Sequence, residues 1–149
     1  MSTVSNNSES ADNNPVDRSK LFKAALASIA AAVIANIIAY YIVRAFVELP
    51  ANFPPLSIGA ISFFTIIGTG LGALTFWWLS RRSATPVRTY WIIAVIALIL
   101  SILPNLAAAI NPALFPFPGG SATGFLVLVL FHVIAMLVSV TVLTRLATK

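Results

Sequence analysis

The chain of 149 residues contains one histidine, no cysteine and four carboxylates. Side chains able to do chemistry are therefore few, and their positions are informative. His132 stands near the middle of an uncharged apolar run over residues 123–143. An imidazole offers a donor and an acceptor on one ring and changes charge near neutral pH. In that setting it could relay protons, contact a substrate, or serve as axial ligand to a haem or chlorophyll-type pigment. Asn36, Ser101 and Asn105, with Ser139, are further polar groups set inside apolar runs, and with His132 they form a candidate polar site. The plainer role, which the sequence favours, is a neutral His132 that hydrogen-bonds across to another helix and fixes register. The missing cysteines remove disulfides, thiolate metal sites and thiol redox chemistry. Three of the four carboxylates (Glu9, Asp12 and Asp17) fall in the first 19 residues. The apolar runs then offer no activated nucleophile, metal cluster or carboxylate pair. We expect no enzyme activity, no catalytic residue and no metal site, and no cofactor apart from the pigment alternative at His132.

The elements that must position these groups follow from composition. Hydrophobic residues make up 59% of the chain and charged residues 9%, against about a quarter charged in soluble domains. About 20 helical residues cross a hydrocarbon core of about 30 Å. The apolar blocks predict helices over about 21–46, 57–79, 90–110 and 123–144. The expected fold is all-α, an integral membrane four-helix bundle over residues 20–147, with residues 1–19 as a disordered cytoplasmic tail rich in Ser and Asn. In the first span Ala27, Ala31, Ala35 and Ala39 line one face, beside a stripe of Ser28, Ala32, Asn36 and Tyr40. Gly68 and Gly72 form a GxxxG pair in the second span. Both small-residue patterns predict close helix crossings, because lipid gives no hydrophobic drive between helices. Pro104 breaks the third span, with Ser101 and Asn105 placed to satisfy the backbone groups it frees.

Charge placement predicts orientation. Eight of nine Lys and Arg residues fall at the two termini and in the loop of Arg81, Arg82 and Arg88, leaving Arg44 toward the other side beside Glu48. The positive-inside rule makes that side cytoplasmic, an N-in/C-in topology. Trp77, Trp78, Tyr90 and Trp91 bracket the same loop as an aromatic belt. Its arginines set topology and could meet anionic lipid headgroups. No basic stripe interleaved with aromatics is present, so nucleic acid is not an expected partner. The expected partners are the lipid bilayer, other membrane proteins, or a second copy of the chain.

The order of landmarks resembles an uncharacterised bacterial family of small four-span proteins, domain of unknown function 6069. The residues that carry this are Arg81-Arg82, Pro86, Arg88 and Trp91, then Leu100-Ser101-Ile102-Leu103-Pro104, then His132. The resemblance covers roughly residues 20–147 and implies a four-helix fold in a bacterial inner membrane, with no activity attached. The leading expectation is a non-catalytic bundle or accessory subunit that packs with partner membrane proteins. The alternative is a small transporter or channel-like protein using His132 and the Pro104 kink, which requires a cavity reaching His132.

Overall fold

A computed structural model describes residues 16–148. The chain is all-helical: α1 (Leu21–Phe46), α2 (Ile58–Arg82), α3 (Pro86–Ile110) and α4 (Ala122–Ala147), with short 3-10 turns at Pro54–Leu56 and Pro112–Leu114. All four α-helices are long and apolar enough to cross a membrane. Their 25 or 26 residues measure about 38 Å at 1.5 Å per residue, enough to span with some tilt.

Local chemistry sets the boundaries. Ser57 Oγ accepts from the Ala60 amide at 3.2 Å and Ser121 Oγ from the Gly124 amide at 3.1 Å, so each hydroxyl caps the helix that follows it. Pro86 occupies the first turn of α3, where its missing N–H costs nothing. It starts α3 four residues before the expected Tyr90. The arginine loop shrinks accordingly to residues 83–85, with Arg81 and Arg82 ending α2 and Arg88 in the first turn of α3. Helices α2 and α4 each run three residues beyond their expected ends. Pro104 does not break α3, which stays helical from Pro86 to Ile110.

Helix α1 packs between α2 and α4, and α3 lies against α4. The buried stripe of α1 is Leu21, Ala24, Ser28, Ala32 and Asn36, not the alanine ladder expected to make the crossing. Ala27, Ala31, Ala35 and Ala39 are only half-buried and flank that stripe. The reason lies in the partners: α2 and α4 sit on either side of α1, so its deepest line faces the seam between them. The glycine pair is corrected likewise. A Cβ on Gly68 would meet nothing within 4 Å, so no helix crosses there. Gly72 does sustain a close approach, but to a side chain: a Cβ there would lie 2.9 Å from the Tyr90 hydroxyl.

The end that collects Arg81, Arg82, Arg88 and Arg145 is tied together by the segment before α1. Val16 is buried and bridges Thr148, the Asp17 amide donates to the Ala147 carbonyl at 2.7 Å, and Arg18 Nη2 donates to the Ser80 carbonyl at 3.3 Å. Residues 16–19 thus belong to the fold rather than to the expected 1–19 tail, whose residues 1–15 lie outside the described residues. Asp17 accepts from Ser19 Oγ at 2.6 Å and from the Ser19 amide at 3.0 Å, and faces Lys20 Nζ at 3.4 Å. The Ser19 hydroxyl, and then its amide and Lys20, hold the Asp17 carboxyl below its ordinary value of 3.8. A lowered carboxyl stabilises the fold above its unfolded value and loses that contribution as pH falls through the folded one. Protection of the Ser19 amide from hydrogen exchange should therefore be constant above about pH 5 and fall below pH 4, and Asp17→Asn should abolish that dependence.

The two glycines give an opposed pair of predictions, read by unfolding in mixed micelles. Gly68→Ala should stabilise the protein by up to about 1 kcal/mol, because it adds helix propensity and meets no neighbour. Gly72→Ala should destabilise it by about 1 kcal/mol or more through overpacking. Tyr90→Phe should relieve that loss, since the next ring atom is 4.0 Å from the new methyl group.

Candidate functional site

Helices α2 and α3 are consecutive and joined by three residues, yet they do not close on each other along their length. They meet near their joined end, where the buried Tyr90 ring packs on Phe76 with centroids 4.9 Å apart. Beyond that point they part, leaving an apolar groove of about 780 Å³ floored by α4 and reached by Asn36 of α1. Its far end is bounded by Phe117 and Phe125, both set edge-on to Phe53 at 6.2 and 5.1 Å. That plug needs Gly124, where a Cβ would stand 3.0 Å from the Phe53 ring. Between the two ends the groove opens sideways past Gly68 and Gly70, which face empty space, and past the exposed side chains of Phe64 and Leu71.

All four residues expected at the polar site, Asn36, Ser101, Asn105 and His132, line this groove, as does Ser139. Three of them share one level. Asn36 lies fifteen residues after Leu21, Ser101 fifteen after Pro86, and His132 fifteen before Ala147. Each is thus about 22 Å along its helix from the arginine-rich end.

The four are gathered but not bonded to one another. Asn36 Nδ2 donates to Thr65 Oγ1 at 2.9 Å, a bond from α1 to α2. His132 does not bond across the bundle as expected: its Nδ1 lies 2.7 Å from the Leu128 carbonyl of its own helix. A carbonyl only accepts, so Nδ1 carries the proton and, in the neutral ring, Nε2 is left as an acceptor. Ser101 Oγ donates to the Leu98 carbonyl at 2.8 Å and Asn105 Nδ2 to the Ser101 carbonyl at 3.2 Å. Neither bond is to the Leu100 carbonyl, four residues before Pro104, so the two side chains do not satisfy the acceptor that the missing proline N–H leaves over. Asn36 itself is 1% exposed, and its Oδ1 is the one buried side-chain polar atom without a hydrogen-bond partner among the described residues. His132 Nε2 is therefore not sealed in protein, and His132 is half-buried along the groove.

Sequence reasoning missed Thr65, Thr69 and Tyr90. Thr65 and Thr69 belong to the buried stripe Ile61, Thr65, Thr69 and Ala73, whose four-residue spacing was the available signal. Tyr90 was assigned to the interfacial belt; its burial follows from the early start of α3. The arginines stay at the surface, and the Arg81 guanidinium lies 4.0 Å over the Trp77 ring.

The bond between Asn36 and Thr65 generates a double-mutant prediction. Thr65→Val alone strands the Asn36 amide and should cost about 1 kcal/mol, whereas Asn36→Leu should be close to neutral because it also removes the unpartnered oxygen. The coupling from the full cycle should fall near 0.6 kcal/mol, measured by unfolding in mixed micelles. No protein-family model, curated protein or solved structure matches this chain.

Proposed function

We propose that the chain is a non-catalytic accessory bundle of a bacterial inner membrane, with both termini cytoplasmic. Its outer apolar faces pack with lipid, partner membrane proteins or a second copy, and its groove serves as its binding seat. One observation carries this: the groove is a lateral recess at the depth of the spans, bounded at both ends by aromatic side chains. A recess of that form takes up a membrane-dissolved occupant. The gathering of Arg81, Arg82, Arg88 and Arg145 at the end that also holds the Val16 bridge to Thr148 supports the orientation. The resemblance through Arg81-Arg82, Pro86, Arg88, Trp91 and His132 supports membership of the four-span family named above and a bacterial membrane. The non-catalytic reading draws on His132, whose ring is committed to a backbone carbonyl and which, among the described residues, shares the groove with no carboxylate.

One observation favours the transporter reading: the groove reaches both His132 and Pro104. The two readings differ in what fills the groove. With no native cysteine, a spin label attached at Gly68→Cys in reconstituted vesicles reports this cleanly. A lateral seat predicts strong relaxation by dissolved oxygen and weak relaxation by a water-soluble nickel chelate. The reverse pattern would mean an aqueous path and would replace the seat with a transporter.

A further inference from the structure

We infer that the groove between α2 and α3 binds a single-headed amphiphile, a long apolar body ending in an uncharged hydrogen-bond donor, with a long-chain alcohol as the simplest case. This rests on reading the groove as a binding seat and adds what the seat selects.

The selection comes from a surplus of acceptors at one level. His132 spends its Nδ1 proton on Leu128, so in the neutral ring Nε2 offers a lone pair, and that atom is not sealed in protein. In hydrocarbon no water arrives to satisfy it. Ser101 spends its hydroxyl proton on Leu98, so its oxygen can only accept as well. The two stand at one level on α3 and α4, and both residues line the groove. A hydroxyl or similar donor placed between them completes what the protein leaves open. Asn36 Oδ1 is unpartnered too, but it is sealed beneath the wall and takes no part.

The rest of the wall fits an apolar body. Phe64, Leu71, Ala94, Phe131 and Met136 line it. Its volume of about 780 Å³ lies within the roughly 300–1,000 Å³ of sites that are mostly apolar with a few convergent polar groups. Depth excludes the common membrane lipids as specific ligands. The acceptor level is about 22 Å along helices of about 38 Å, in mid-hydrocarbon, where a charged or zwitterionic headgroup is expensive. A bare acyl chain could lie in the groove but brings no donor. Entry is sideways from the bilayer past Gly68 and Gly70.

The test uses delipidated full-length protein in mild detergent, native mass spectrometry, and two probes: hexadecanol and its methyl ether, which keeps the chain and the oxygen but has no donor. Wild type should retain the alcohol about tenfold better than the ether, the size expected from one net hydrogen bond in an apolar site. His132→Leu and Ser101→Ala should each reduce that preference, and the double variant should bring it within twofold. Gly68→Phe, which projects into open space and leaves the fold intact by circular dichroism, should expel both probes. Equal retention of alcohol and ether by wild type, both lost in Gly68→Phe, would overturn the donor selection while leaving the groove as a seat. A preference for the ether would overturn it too. Retention of both probes by Gly68→Phe would overturn the seat itself. A tetrapyrrole absorption band in the protein as first extracted, lost in His132→Leu, would replace the amphiphile with a pigment.

Discussion

The groove exists because two consecutive helices touch hard at one end and nowhere else as closely. Tyr90 occupies the contact, its ring against Phe76 and its hydroxyl in the space a Cβ on Gly72 would need. Pro86 places Tyr90 there by starting α3 only three residues after α2 ends. A connection that short gives the two helices no slack to adjust, so an aromatic wedge beside it sets the angle at which they separate. The remainder of the bundle accommodates this: α1 packs against α4, and α4 supplies the floor. The far ends are kept from collapsing by Phe53, which seats against Gly124 and stacks edge-on with Phe117 and Phe125.

Polar groups inside the spans show how little the bundle relies on side-chain bonds between helices. Ser28, Ser101, Ser139, Thr69 and Thr144 each donate to a carbonyl of their own helix, and His132 does the same through Nδ1. Each thereby places a proton without a partner across the interface, which is the least demanding arrangement in a medium without water. Asn36 is different. Its amide has more hydrogen-bonding capacity than Thr65 can take up, and the excess oxygen is left buried without a partner.

How much of this was legible beforehand depended on the kind of interaction. Four long apolar runs, two proline-rich connections and basic residues at the ends of the runs are one-dimensional signals, because bilayer thickness and backbone satisfaction act on each span separately. The four helices were therefore readable from residue counts alone, whereas the shared depth of Asn36, Ser101 and His132 depended on the start of α3 at Pro86 and the end of α4 at Ala147. Which face of each helix points inward was not. The alanine ladder and the glycine pair carry the right residue types for close packing, but only the placement of α1 between α2 and α4 decides that Ser28, Ala32 and Asn36 take the seam. Only the separation of α2 from α3 decides that Gly68 faces open space. The partner of His132 was settled by geometry too: its Nδ1 bonds a backbone carbonyl one turn back in its own helix. Composition and spacing thus determined an all-helical chain with four membrane-length helices and polar side chains inside them. Tertiary structure alone decided that these side chains share a level and line a groove that opens sideways, because openness is a property of the distance between helices and no single helix encodes it.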